Sequence, residues 1–539
     1  MHNGSVWAGL IALAIVAPTL ASANEFALVD ESGRLPFDAD QDLKDSLDVD
    51  MIDVDGDGDL DLFLVEGSAT ASGFQNLLWV NDGYGNFVDE TADRLPAIAN
   101  NSTEVDFADV DGDGDLDAVV SGLGPNQLLI NDGTGVFADA PLPQATPSGP
   151  PGFAVTFPPF FIEVSAEAVF ADIDDDGDPD ILISNENPFP FGPPGDQNRV
   201  LINDGTGAFS DETGARLPLL IDNTSGFATG DIDGDGDLDA VVAEIGQNLV
   251  LINDGTGVFS DETAARLPAL DSSSRKAVLG DVDRDGDLDL LVGNSRSSQN
   301  RLYLNDGRGV FSDVTASHLP VDSATTTDVD FYDFDGDGDL DAYFTNVGDF
   351  VFGHGFLGEP NVLLYNDGSG RFSDVSVPRL PQRDGRSTNA AIGDVTGDGV
   401  ADIVLANSGG VDQVGLPPPD GAERLLVGRN CVVSRDACLE IALESLSTTI
   451  DALDTRRAPE GDMTARRERR NIRRQSQLQS QVQVARRLLA RGRYRAAVRA
   501  LRVVLRRVDG EHQLRDWVAG PAASTLQSSA AFAIQIIRH

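Results

Sequence analysis

Six nine-residue stretches of the chain carry Asp at five alternate positions, and a seventh keeps three of them. The first, DVDGDGDLD, holds Asp53, Asp55, Asp57, Asp59 and Asp61. The next five hold Asp109, Asp111, Asp113, Asp115 and Asp117; Asp172, Asp174, Asp176, Asp178 and Asp180; Asp231, Asp233, Asp235, Asp237 and Asp239; Asp281, Asp283, Asp285, Asp287 and Asp289; and Asp333, Asp335, Asp337, Asp339 and Asp341. The last, DVTGDGVAD, has Asp394, Thr396, Asp398, Val400 and Asp402. Odd-numbered side chains of a tight loop can converge on one centre, and the Gly always present at position 6 permits the turn. With the carbonyl of position 7, they offer several hard oxygens at ~2.3–2.6 Å, a donor set for Ca²⁺. Without a cation, the converging carboxylates repel one another. Up to seven calcium ions are therefore expected, the one at 394–402 held most weakly.

Two other calcium motifs begin similarly. An EF-hand needs a bidentate Glu at position 12 and flanking helices. Position 12 here is Leu64, Val120, Ile183, Val242, Val292, Phe344 or Leu405, so each loop feeds an apolar strand instead. Tandem glycine-rich nonapeptides of the β-helix kind are absent.

The loops recur at intervals of 56, 63, 59, 50, 52 and 61 residues, a period that points to a propeller or a solenoid. A second motif runs in step: NDGYGNF at Asn81, then NDGxGxF at Asn131, Asn203, Asn253, Asn305 and Asn366. Each period parses into four short strands: one before the acidic loop, an apolar one after it, one ending at the NDG turn, and one starting at the motif's Phe and often running on as DETxxRLP. The seventh period lacks its NDG turn and fourth strand. Phe26 to Pro36 matches Phe209 to Pro218, so the mature N-terminus is expected to supply that strand and close the ring. The fold predicted is all-β, a seven-bladed propeller over residues 24–432. A linker (433–476) and a basic α-helical domain (477–539) follow, with apolar residues from Leu478 to Leu505 at helical intervals.

These loops and their period resemble the FG-GAP/VCBS-type repeats of integrin alpha-chain heads and many bacterial exported proteins. The resemblance covers roughly residues 25–430 and is closer to the bacterial branch, since literal FG and GAP tokens are poorly represented. It implies a seven-bladed propeller with calcium in the loop joining the first two strands of each blade. The family includes adhesion proteins and carbohydrate-active enzymes, so it constrains fold more than function.

Charge and composition narrow the classes. The formal net charge of −51 is uneven: residues 434–539 carry 20 Arg and 11 acidic residues, the remainder 18 basic and 78 acidic. Residues 1–23, an apolar run ending in Ala21-Ser22-Ala23, read as a signal peptide, which places the chain in a secreted, periplasmic or cell-surface setting with no membrane span after cleavage. Export and the acidic body exclude nucleic acid as a partner. In that compartment a disulfide between Cys431 and Cys438 is plausible. The basic C-terminal helices suggest a cell-surface contact, with an ordinary solvated face as the alternative.

No nucleophile elbow, phosphate loop or zincin motif is present, and the five histidines lack metal spacing. Acid–base chemistry would have to use Glu66, Glu186 or Glu244. Insertions at Ala138–Glu163, Asn185–Asn198, Asn346–Asn361 and Asn407–Glu423 fall on the face opposite the acidic loops, the expected binding face. Five residues after each loop's last Asp come Glu66, Gly122, Asn185, Glu244, Asn294, Asn346 and Asn407. They read either as turn formers or as a polar ring for a ligand. Phe153, Phe157, Phe160 and Phe161 could add an apolar contact patch or pack over the propeller end. The sequence thus predicts an exported calcium-binding propeller that recognises protein or glycan; the alternative is a polysaccharide lyase or hydrolase on the same frame.

Overall fold

The computed structural model describes residues 26–36, 45–67, 73–143, 165–186, 197–219, 223–296, 298–348, 350–351, 355–356, 358–380, 386–407 and 423–430, with 480, 482–485 and 487. The fold is all-β and propeller-like, built from four-stranded antiparallel repeats. In the first repeat, Asp45–Ile52, Asp61–Gly67, Leu77–Asn81 and Phe87–Asp89 pair in chain order. The same order recurs from Ser102, Ser165, Thr224, Asp271 and Thr326. Strand Asp239–Gln247 also pairs with the start of Asp271–Gly280, joining the fourth and fifth repeats into one sheet.

The last repeat is split. Ser387–Gly393, Asp402–Asn407 and Arg424–Asn430 are completed by Phe26–Asp30, with Leu28 opposite Gly428 and Asp30 opposite Leu426. The inner strand Ser387–Gly393 lies beside Thr326–Tyr332 on one side and Asp45–Ile52 on the other.

Second strands such as Asp61–Gly67 and Asp117–Gly122 are buried at every residue, because sheet neighbours flank them and further repeats cover both faces. That explains their unbroken apolar runs. The core lies between repeats: Val49, Leu62 and Trp79 of the first pack with Val404, Leu425 and Val427 of the last. Each such side chain contributes about 1.5–3 kcal/mol by leaving water. Every inner strand carries a register shift at the same place, between Ser46 and Asp48, Ser102 and Glu104, or Ser274 and Lys276, for example. The extra residue lets the Ser or Thr point into its own sheet and re-aims the strand beyond it.

One sequence expectation changes. DETxxRLP does not extend the fourth strand; Thr91–Arg94, Thr213–Arg216 and Thr263–Arg266 form single helical turns. Asp89 accepts the Thr91 amide at 3.0 Å, and Thr91 Oγ1 accepts the Leu78 amide at 2.9 Å, so Asp and Thr draw the chain out of the strand. Cys431, Cys438 and the four phenylalanines from Phe153 to Phe161 lie outside the described residues, as does nearly all of 433–539. Residues 482–485 are helical, with Val482 and Ala485 buried. No helix among the described residues is long and apolar enough to cross a membrane.

Candidate metal loops

Each acidic loop folds around its own carboxylates. In the first, Asp53 accepts the amides of Asp57 (3.1 Å) and Gly58 (2.9 Å), and Asp57 accepts that of Asp59 (3.0 Å). The same bonds recur in the other loops, through Asp398 and Gly399 to Asp394 in the last. Positions 4 and 6 are left-handed: Gly56 has φ 72° and Gly58 φ 92°. Asp175 (φ 58°) and Arg284 (φ 63°) occupy position 4 in the third and fifth loops, where a side chain is less readily accommodated.

Position 9 is buried. Asp61 accepts the Val54 amide at 3.3 Å and the Asn81 amide at 2.8 Å, fixing the loop to the NDG turn. Burial pushes these carboxyls up, to about 7 for Asp61, Asp180, Asp289, Asp341 and Asp402 and about 6 for Asp117 and Asp239; the two amides oppose the rise. In the last loop the Gly428 amide, at 2.7 Å from Asp402, replaces that of the missing Asn. Position 7 side chains face away from the loop centre: Asp59, Asp115, Asp178, Asp237, Asp287 and Asp339 lie against the glycine of the NDG turn, where a Cβ would clash. Of position 7, this leaves the carbonyl as the oxygen for the loop centre.

The decisive atoms are at position 3. Oδ1 of Asp55, Asp111, Asp174, Asp233 and Asp283 is out of solvent and accepts no hydrogen bond. Burying an anionic oxygen without a donor is costly. Oxygens from three carboxylates come within 4.8 Å of one another in, among others, Asp53, Asp55 and Asp57; Asp109, Asp111 and Asp117; Asp172, Asp174 and Asp180; Asp231, Asp233 and Asp239; and Asp281, Asp283 and Asp285. An all-oxygen cluster with a bare buried oxygen fits a hard divalent cation. In the last loop position 3 is Thr396, whose hydroxyl is 3.5 Å from Asp394.

Two further residue types tie the loops together. The NDG asparagine amide bonds across the repeat boundary, Asn81 to Val395 O at 2.8 Å and Asn253 to Ile173 O at 2.7 Å. The arginine of DETxxRLP spans three groups. Arg216 bonds Asp174 Oδ2 at 3.0 Å, Glu212 at 2.8 Å and the Thr256 carbonyl of the next turn at 2.6 Å. Arg94 and Arg266 repeat this with Asp55 and Asp233. Sequence reading found both motifs but not these links; the constant spacing of the Arg from the NDG asparagine (Asn81 to Arg94, Asn203 to Arg216, Asn253 to Arg266) was the available signal.

The residues proposed as a polar ring do not face a ligand. Asn185, Asn294, Asn346, Asn407, Glu66 and Glu244 are buried. Each accepts a hydroxyl from the inner strand: Ser46 to Glu66 (3.1 Å), Thr224 to Glu244 (2.7 Å), Ser274 to Asn294 (3.1 Å). Their backbone amides are taken by a second Asn or an equivalent, as Asn300 takes that of Asn294 at 2.7 Å. This is internal framework, and it also commits Glu66 and Glu244. Glu186 is paired with Arg275 at 3.0 Å.

A family model described as FG-GAP-like repeat matches residues 53–120, 172–242, 231–292, 281–344 and 348–405. No curated protein matches the sequence. Among solved structures, an Agrocybe aegerita lectin described as recognising non-reducing terminal N-acetylglucosamine is 17% identical, with 61% of this chain and 79% of that one covered and a TM-score of 0.37. A Lactobacillus plantarum protein is 15% identical (63% and 84% covered, TM-score 0.39). An extracellular domain ascribed to a hybrid two component system of B. thetaiotaomicron is 11% identical (73% and 41% covered, TM-score 0.40).

Proposed function

The chain belongs to the FG-GAP-like repeat family, and from that premise we propose that it is an exported, calcium-stabilised, seven-bladed propeller that acts as a recognition module for protein or glycan. The observation that carries the calcium reading is the bare, buried Oδ1 of the position 3 aspartates. The ligands of each ion would be the carboxylates at positions 1, 3, 5 and 9 and the carbonyl of position 7. Calcium neutralises their mutual repulsion and fixes the loop; the chain's own backbone amides hold the carboxylates in place. Closure of a seven-membered ring is supported by Phe26–Asp30 on Arg424–Asn430 and by the Asn81 bond to Val395.

The recognition surface is the face opposite the loops, where the connections differ most in length. An enzymatic reading has less support, because Glu66, Glu244 and Glu186 are all committed to partners. The deciding experiment is a glycan array with the calcium-loaded full chain, run beside a panel of polysaccharides assayed for product. Binding without turnover is expected; product release would establish the enzyme instead.

A further inference from the structure

Lys276 stands on the inner strand of the fifth repeat, yet its ammonium reaches Glu104 of the second (2.8 Å) and Glu167 of the third (2.5 Å). A side chain that bridges repeats so far apart in the chain crosses the space the inner strands enclose. Glu167 also accepts the Phe227 amide of the fourth repeat, so one ammonium and two carboxylates join four repeats.

Lys276 is outnumbered there. Asp48 and Asp50 face it from the first repeat, Asp106 joins Glu104 from the second, and Asp328 and Asp330 face it from the sixth. The inner strands of the fourth and seventh repeats bring no ionisable residue at the matching positions, only Gly226 and Asn389. Asp48 and Asp328 spend an oxygen on the amides of Val105 (2.9 Å) and Ala390 (3.3 Å). Asp330 Oδ2 is out of solvent and accepts no hydrogen bond. One cation cannot neutralise seven carboxylates in a half-buried space.

We propose that this axis is a proton-loaded clamp: Lys276 fastens the repeats across the ring, and the surplus carboxylates permit closure only while some of them carry protons. The electrostatics agree. Burial raises Asp48 to about 7 and puts Asp50, Glu104 and Asp330 well above the usual carboxylate range. Burial alone would lower the Lys276 ammonium, but Glu104 and Glu167 outweigh it and keep it charged. The folded-state values of these carboxyls lie above their unfolded ones. Their contribution is therefore complete in acid, below the unfolded value, and is lost as pH rises through about 7 and beyond.

The test uses the full chain in saturating calcium, with Tm compared between each variant and its parent at pH 5.5 and pH 8.5. None of these groups lies in an aspartate loop, so the outcome is separable from the calcium reading. Asp330→Asn removes one surplus charge without changing shape. It should raise Tm by about 2 °C or more at pH 8.5 and give a smaller gain at pH 5.5, which lies closer to the unfolded value. Lys276→Met should lose more at pH 8.5 than at pH 5.5. Should Lys276→Met fail to fold, Asp330→Asn decides alone. An Asp330→Asn variant with no gain at pH 8.5, or a Lys276→Met loss equal at both pH values, overturns the clamp.

Discussion

Arg216 offers a quantitative test of how the loops are coupled. Its guanidinium makes three charge-assisted bonds: to Asp174, whose other oxygen faces the loop centre, to Glu212, and to the backbone of the next repeat at Thr256. The Arg216 side chain is 13% exposed and that of Asp174 17%, so water replaces these bonds poorly, whereas Glu212 at 40% is largely screened. Counting two effective bonds at about 1–1.5 kcal/mol each, Arg216→Gln should cost about 2–3 kcal/mol. At about 2–4 °C per kcal/mol, Tm should fall by about 4–12 °C. Arg34 is a built-in control. It reaches Tyr84 O (2.5 Å) and Glu31 (2.6 Å), but its side chain is 30% exposed and its own loop has Thr396 at position 3. Arg34→Gln should therefore cost about 1 kcal/mol or less. Differential scanning calorimetry in saturating calcium reads both variants. Equal losses for the two, or no loss for Arg216→Gln, would refute coupling through position 3.

Other outcomes follow from the same geometry. Asp235→Ala should lower bound calcium by about one ion per chain, counted by elemental analysis after gel filtration. Gly205→Ala drives a Cβ into Asp178 Oδ2 at φ 76°, and should cost about 1–3 kcal/mol in chemical denaturation. Asn294→Ala removes bonds to Ser274 and the Gln299 carbonyl at a fully buried site. It should cost about 2–3 kcal/mol while leaving the affinity for any ligand found on the glycan array unchanged.

Much of the fold was legible because the repeats are marked by chemistry as well as hydrophobicity. The Asp loops and NDG turns fix where strands begin and end, and the match of Phe26 to Pro36 with Phe209 to Pro218 revealed the split repeat from residues alone. The site was legible as a donor set but not as a geometry. Spacing counted Asp59 and its equivalents with the ligands through the position 7 carbonyl but could not say where their side chains go, which is against the NDG glycine. The Asn and Glu after each loop could be read from spacing only as turn formers or as a ligand ring, because polar residues near a mouth usually face water. Only the register shift of the inner strand shows that a Ser or Thr is waiting for each of them inside the sheet. The cluster around Lys276 was invisible for a different reason. Asp48, Glu104, Lys276 and Asp328 are up to 280 residues apart, and no pairwise spacing in the chain announces that their strands bring them together.

The central claim is that cations bound in the aspartate loops hold the propeller together. Thermal unfolding of the full chain, stripped with chelator and then reloaded, tests it directly when paired with elemental analysis of both samples. The account expects several calcium ions per loaded chain and a Tm well above that of the stripped protein. Equal heat resistance in both states, with no bound ion detected in either, would contradict it.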